Sequence, residues 1–259
     1  MSNVEEKGAR FGQPWTRDEL ILAFDLYCRI PFQQTKASNP KVQELAALIG
    51  RSHSSVARKL GNFGAFDPEL QRKGISGLVH ASKLDKEIWD EFHHNWNDLV
   101  FEASKLRRQF SLKEKDVSTL RRPEGPSELI RETKVRVHQS FFREVVLSSY
   151  NAKCCVTGLS ISECLIASHI VPWSIDESKR TDPTNGLCLS ATFDRLFEAG
   201  LISIGPEMEI IMSKDILSRK DPIIERLVAC FHMRRIILPN RFLPSAACLE
   251  WHRRNVFRS

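Results

Sequence analysis

Hydrophobic positions in the first hundred residues of the chain repeat at the spacing of an α-helix. In PWTRDELILAFDLY, Thr16 and Glu19 have the spacing of a capping box, and apolar side chains then recur on one face. The stretch NPKVQELAALIG predicts a second helix, with Asn39 as its N-cap and Gly50 at its end. A third helix follows almost at once in RSHSSVARKLGNF. The amino-terminal part of the chain is therefore predicted to be a helical domain.

A short turn that contains Gly50 separates the second and third predicted helices. Two helices joined in this way form a helix-turn-helix pattern, whose second helix can enter the major groove of DNA. An ordinary helical hairpin with a polar surface gives the same pattern, so both interpretations stay open at this point. The side chains that are rich in hydrogen-bond donors, and that we predict to face outward toward DNA, are Arg51, His53, Ser55, Arg58, Lys59 and Asn62.

Charge and composition place a domain boundary after these helices. The chain of 259 residues carries a formal net charge of +6, and residues 104–136 hold ten Lys or Arg against five Asp or Glu. A basic segment suits nucleic acid, because each neutralised phosphate releases bound counterions, although a solvated linker has the same composition. The prolines and glycine of RRPEGPSE break regular structure. We predict a helical DNA-recognition domain in residues 1–103, a basic linker in 104–128 and a second domain in 129–259.

The cysteines indicate a reducing environment. There are seven of them, an odd number, and no pair has the CxxC spacing of a thiolate zinc site. No signal peptide or long apolar run opens the sequence. We therefore expect a cytoplasmic protein without a membrane partner, whose cysteines are small buried hydrophobic residues.

After a predicted helix in VRVHQSFFREVVLSSY, the pattern turns to short strands. The segments CCVTGLSISECLIASHIVPW and RTDPTNGLCLSATFDRLFEAGLISI resemble the HNH family of ββα-metal endonucleases. They resemble the subgroup that carries a histidine preceded by Ala or Ser, then Ile-x-Pro-Trp, Asn-Gly-Leu and Asp-x-x-Phe. The resemblance covers about residues 135–204. It implies a carboxy-terminal ββα-metal HNH nuclease domain. Together with the helical, helix-turn-helix-like domain predicted before it, this makes the predicted fold class α+β.

Phosphodiester hydrolysis needs a base that deprotonates water and a divalent ion that offsets the developing negative charge. His169, on the first predicted strand, is the candidate base. A lone histidine in an apolar strand is usually a core residue, but the accompanying motif elements favour a nuclease site. Asn185 lies in the turn PTNG, where it either holds the returning strand or orients the imidazole, and Asn-Gly is also a common hairpin turn. Asp194, on a short helix, completes the predicted catalytic set.

The predicted metal ligands are hard oxygen atoms. Asp194 and Glu198 are four residues apart, so both carboxylates can project from one helical face and suit Mg²⁺ or Mn²⁺ rather than zinc. In the family, the residue before the base is often an Asp or His that binds the metal, whereas this chain has Ser168, a weaker ligand. Glu198 is either a second ligand or a surface residue. Arg180 and Arg195 are candidates for contact with phosphate.

The resemblance implies a two-domain, metal-dependent endonuclease of double-stranded DNA, similar to bacterial restriction enzymes. The opening WTRDE resembles the start of Myb-like three-helix domains, and the capped helix pair favours a DNA-reading role for the first domain. Dependence on a modified cytosine fits this kind of enzyme, and cutting both strands needs a homodimer or sequential nicking. Two rival functions stay open: a DNA-binding regulator with a decayed nuclease fold, suggested by Ser168, and a nonspecific nuclease used as a toxin.

Overall fold

The computed structural model describes residue 10 and residues 12–75, 81–114 and 127–259, with only the backbone described for 113–114 and 127–135. The chain divides into two compact units, Met1–Phe141 and Phe142–Ser259. Helices dominate the described part of the first unit, and the second unit combines helices with two small antiparallel sheets. This arrangement confirms the predicted α+β class.

Local capping sets the ends of the first helices, as the sequence predicts. The Thr16 side chain accepts from the amide of Glu19, and the Glu19 carboxylate accepts from the amide of Thr16, which completes the capping box. Asn39 caps the second helix, which ends at Gly50 with a left-handed φ of 67°. Ser52 caps the third. The helices of the first unit are α1 (Arg17–Arg29), α2 (Pro40–Ile49), α3 (His53–Gly64), α4 (Pro68–Arg72), α5 (Lys83–Phe92) and α6 (Trp96–Glu114).

Helix α1 lies at the centre of the first unit, where α2, α3, α5 and α6 all contact it. Its residues are buried on almost every side, and an aromatic cluster joins it to its neighbours. The ring of Phe24 packs against Phe63 of α3 and Trp89 of α5, with centroids 5.1 and 5.4 Å away. These contacts show that the aromatic residues form the core of the helical unit.

The second unit is organised around a hairpin and the helix that follows it. Strands β1 (Leu165–His169) and β2 (Gly186–Ser190) pair antiparallel, and α8 (Ala191–Glu198) begins directly after β2. A second pair, β3 (Ile202–Ile204) and β4 (Ile210–Met212), extends the core. Beyond them lie α9 (Lys214–Leu217), α10 (Pro222–Leu227) and α11 (Ala246–Asn255). Helix α11 packs against β3, so the carboxy-terminal segment folds back onto this unit.

The predicted linker, residues 104–128, begins inside a helix in this structure. Helix α6 continues to Glu114, and α7 (Ser127–Ser149) runs from the first unit into the second. The positions between these helices, 115–126, which hold several of the basic residues, lie outside the described residues. The boundaries 1–103, 104–128 and 129–259 therefore stay a prediction.

All seven cysteines are free thiols, and five of them are buried. This matches the expectation of small hydrophobic side chains, except at Cys164 and Cys230, which are exposed. Within the described ranges, no helix combines the length and the apolar character that a membrane span requires.

Candidate active site

The β1–β2 hairpin and α8 bring the motif residues of the sequence into one region of the second unit. His169 is the last residue of β1 and pairs with Gly186, the first residue of β2. Asn185 immediately precedes β2, and Ser190 ends β2 and is also the N-cap residue of α8. The order is therefore strand, loop, strand and helix, with Asp194 in the first turn of the helix.

The imidazole of His169 is held on one edge and on one face. Its Nε2 lies 3.1 Å from the carbonyl oxygen of Arg180. A carbonyl oxygen only accepts, so Nε2 carries the proton and donates it, and Nδ1 keeps its lone pair. The ring of Phe142 stacks on the imidazole at a centroid distance of 3.7 Å, and Trp173 contacts it edge-on at 5.7 Å. In the described part of the chain, no group forms a hydrogen bond with Nδ1.

Burial lowers the pKa of His169 below its ordinary value of 6.5, while the hydrogen bond to the Arg180 carbonyl raises it by less. The imidazole is therefore neutral over a wider range of pH than a histidine in water. A neutral ring with one donated proton and one open lone pair has the protonation state that a general base requires.

Asn185 is completely buried and binds the loop between the strands at two points, one near its start and one near its middle. Its Oδ1 accepts from the amide of Val171 at 2.8 Å, and its Nδ2 donates to the carbonyl oxygens of Val171 at 3.0 Å and Lys179 at 3.3 Å. Lys179 immediately precedes Arg180, whose carbonyl accepts from His169. The Asn185 side chain thus fixes the backbone segment that orients the imidazole.

Asp194 lies where α8 packs against the hairpin and is 8% exposed. Burial raises the pKa of its carboxyl group, a hydrogen bond from the Ser168 hydroxyl lowers it, and the negative charge of Glu198 raises it further. The structure therefore brings together Ser168 and Asp194, two of the predicted metal ligands. No hydrogen bond or ion pair among the described residues joins Asp194 to His169, because neighbouring strand residues point to opposite faces and Ser168 is the one that faces α8.

The other predicted residues of this unit lie nearer its surface. Glu198 is exposed and forms an ion pair with Arg195 at 3.3 Å. Arg180 is partly exposed, with its guanidinium over the Trp173 ring, and it forms an ion pair with Glu177 at 2.8 Å. Among the described residues, no group of three or more His, Cys, Asp or Glu side chains is arranged to hold a metal ion.

The expectation that the donor-rich residues around α3 all face outward is wrong for three of them. Arg51 is 7% exposed and donates to Glu19 at 2.8 Å. Lys59 and Asn62 are buried and donate to Asp85, at 2.9 and 3.1 Å. A buried charge needs a partner of opposite charge, and these partners lie far away in the sequence.

The remaining predicted DNA contacts on α3 keep the predicted orientation. His53 and Arg58 are exposed, and Ser55 is half-buried. The surface that α3 offers to a ligand is therefore smaller and less charged than the sequence suggests.

Two aromatic–histidine contacts of this unit were not predicted. Phe142, on α7, and Phe197, on α8, each stack on an imidazole, that of His169 and that of His252 respectively. The only sequence signal for Phe142 is its place in the apolar stripe of a helix, which indicates burial but not the partner.

The site consists of a hairpin that carries a histidine, a buried asparagine before the second strand, and a following helix that carries a carboxylate. This arrangement defines a nuclease-type ββα unit. The corresponding residues 154–205 match the family model described as HNH endonuclease. The chain therefore contains an HNH endonuclease domain, which indicates a nuclease that acts on nucleic acid. HNH nucleases generally depend on a divalent metal ion. Comparison with curated proteins gives no match.

Proposed function

We propose that the chain is a metal-dependent endonuclease that cuts double-stranded DNA, with His169 as its general base. The observation that carries this proposal is the hydrogen bonding of the imidazole. Its Nε2–H donates to the Arg180 carbonyl, and no described group forms a hydrogen bond with its Nδ1. Restriction of foreign DNA is the biological role that best fits a nuclease domain that follows a helical unit.

In the proposed reaction, Nδ1 of His169 accepts a proton from a water molecule. The oxygen of that water attacks the phosphorus atom, and the bond from phosphorus to the 3′ oxygen breaks. The ring becomes positively charged in this step. The hydrogen bond from Nε2–H to the Arg180 carbonyl then strengthens, because its donor is charged. Asn185 contributes by holding the Lys179 carbonyl, one residue before that acceptor.

The residues around Asp194 fit a hard divalent cation such as Mg²⁺ or Mn²⁺. Its carboxylate is nearly buried, burial raises its pKa, and no described Lys or Arg forms an ion pair with it. Asp194, the Ser168 hydroxyl and, one helical turn on, Glu198 would hold the ion, and Mg²⁺ commonly needs only one or two carboxylates besides water. A bound divalent ion supplies positive charge that offsets the negative charge on the phosphate and the leaving oxygen.

The helical unit is proposed to bind duplex DNA through α3. The exposed side chains of His53 and Arg58, with the half-buried Ser55, are the candidates for contact with bases or phosphates. In the second unit, Arg180 and Arg195 are the candidates for phosphate contacts. Cutting both strands then requires a homodimer or two successive nicks.

A plasmid-nicking assay with Mg²⁺, Mn²⁺ or EDTA tests the proposal. Nicking is expected with either metal and not with the chelator, and Asp194→Asn is expected to lower the rate roughly 100-fold. The matched control is Asp215→Asn, because Asp215 is an exposed acid in the first turn of the neighbouring helix α9. Equal rates for the two variants would contradict the proposed role of Asp194.

Ser168, a weaker metal ligand than the Asp or His often found before the base in the family, supports a second candidate function, a DNA-binding regulator whose nuclease site has decayed. In that case the full chain binds duplex DNA but shows no nicking with any metal tested. A nonspecific nuclease, by contrast, degrades several defined DNAs to a smear, whereas a restriction enzyme gives discrete bands. Matched DNAs with and without methylcytosine or hydroxymethylcytosine show whether cutting depends on the modification.

A further inference from the structure

The ring of Phe142 lies flat against the imidazole of His169. The centroids are 3.7 Å apart, and the planes are inclined by 9°. Phe142 belongs to the last turns of α7 and lies outside the segment 154–205 that matches the HNH endonuclease family. Phe142 is 2% exposed, and both it and His169 belong to the second unit. The HNH match therefore assigns this residue no role.

The hairpin accommodates this ring because the residue opposite His169 has no side chain. Gly186 pairs with His169 across the two strands. A Cβ atom at position 186 would lie 3.1 Å from Cζ of Phe142 and 2.4 Å from Cγ2 of Val146. Phe142 and Val146 are four residues apart and share one face of α7. The absence of a side chain at Gly186 thus leaves room for α7, and of the two helix residues it is Phe142 that stacks on the imidazole.

The stack and the hydrogen bond constrain different movements of the imidazole. Contact with a flat ring fixes the plane of the imidazole. The Arg180 carbonyl, 3.1 Å from Nε2, selects which edge of the ring faces the loop. Only the two contacts together keep Nε2 on the carbonyl and Nδ1 as the open nitrogen.

We propose that Phe142 is a positioning residue for the general base, because its ring holds the imidazole in the plane that keeps Nε2–H on the Arg180 carbonyl. This inference rests on the proposed function of His169. Phe142 acts through the imidazole and does not act on the substrate directly. A displaced base loses rate without losing DNA affinity, because the geometry of proton transfer changes and the DNA-binding surface does not.

The substitution Phe142→Met tests the proposal, since methionine keeps a long apolar side chain but removes the flat face. The first readout is the ring Nε2–H signal of His169 in nitrogen-15 NMR of the full chain with EDTA, assigned by its loss in His169→Ala. We expect this signal in the unsubstituted protein and its loss through exchange with water in Phe142→Met. The Nε2–H of His252 donates to the Phe197 carbonyl, and its signal in the same spectrum reports that the unit is folded.

The second readout is single-turnover nicking with excess enzyme. The rate at saturation is expected to fall roughly 10- to 100-fold in Phe142→Met, with little change in the half-saturating enzyme concentration. Val146→Ala is the matched control, because it removes buried volume from the same face of α7 one turn further on. It is expected to keep the His169 ring signal and the rate.

A His169 ring signal that persists in Phe142→Met, together with a rate equal to that of Val146→Ala, would overturn the proposal. If Phe142→Met also loses the His252 signal, Phe142→Leu takes its place, because leucine keeps a buried apolar side chain on α7 and likewise has no flat ring. Retention of the His169 ring signal in a folded Phe142→Leu protein would likewise overturn it. Failure of the proposed function is seen separately, as unchanged nicking by His169→Ala.

Discussion

Two histidines of the second unit have almost the same surroundings but differ at one nitrogen. His169 stacks on Phe142 and His252 on Phe197, both at 3.7 Å and with planes within 10° of parallel. Both donate Nε2–H to a backbone carbonyl at 3.1 Å. The Nδ1 of His252 accepts from the Ser203 hydroxyl at 2.8 Å, whereas no described group bonds to the Nδ1 of His169.

Exposure separates the two sites further. His252 is 2% exposed and has all its hydrogen-bonding capacity satisfied, so it is a core residue. His169 is partly exposed at the end of β1. A ring stack and a carbonyl partner therefore do not identify a catalytic histidine. We infer that an open nitrogen that solvent can reach makes the difference.

The largest effect that this comparison predicts is on the rate of nicking. His169→Ala is expected to lower the rate by roughly 10²- to 10⁴-fold, the contribution of a general base. His252→Ala is expected to keep the rate, measured where the variant is folded, but to lower the free energy of unfolding by roughly 2–4 kcal/mol. The stability falls because His252→Ala leaves a cavity and removes the hydrogen-bond partner of the Ser203 hydroxyl and of the Phe197 carbonyl. Plasmid nicking and denaturant unfolding of both variants measure the two effects.

The opposite pattern is a loss of rate in His252→Ala with a normal rate in His169→Ala. It would show that His252, and not His169, is the general base. Similar losses of both rate and stability in the two variants would mean that neither position is specialised.

Local sequence signals account for most of the elements and for the order of the site residues. The capping box at Thr16 and the cap at Asn39 place two helix starts correctly, because each depends on residues within a few positions. Likewise, the apolar residues around His169 predict β1.

Partners that are distant in sequence could not be predicted. Arg51 and Lys59 look like exposed donors, because nothing near them shows that Glu19 and Asp85 receive their charges inside the fold. The same reason hides the stack of Phe142 on His169, which α7 and β1 create only when they pack together. Patterns indicate which residues are buried, but tertiary packing decides their contacts.

The second prediction concerns the dependence of stability on pH. Burial lowers the pKa of His252 to about 4, the Phe197 carbonyl opposes this shift, and the nearby charge of Arg253 adds to it. Between its ordinary pKa of 6.5 and about 4, the unfolded chain binds a proton that the folded chain does not. Stability is therefore lost as the pH falls through this window, by up to roughly 3 kcal/mol. Denaturant unfolding from pH 7 to pH 4 should show a smaller loss in His252→Ala than in the unsubstituted protein.

The difference in pH dependence between the unsubstituted protein and His252→Ala reports the contribution of His252 alone. His93 also has a pKa lowered to about 4, by burial and by the charge of His94, but it is present in both proteins and cancels. Parallel pH curves for the two proteins would show that His252 is not the group that titrates.

The smallest predicted effect removes the feature that distinguishes the two nitrogens. Ser203→Ala leaves the Nδ1 of His252 buried without a donor, which is expected to cost roughly 1–2 kcal/mol in unfolding free energy. It gives His252 the same open nitrogen as His169, but without access to water, since the ring is 2% exposed. The double variant His169→Ala with Ser203→Ala is therefore expected to nick no faster than His169→Ala alone. Recovered nicking would mean that an open nitrogen suffices for catalysis and that exposure at the end of β1 does not matter.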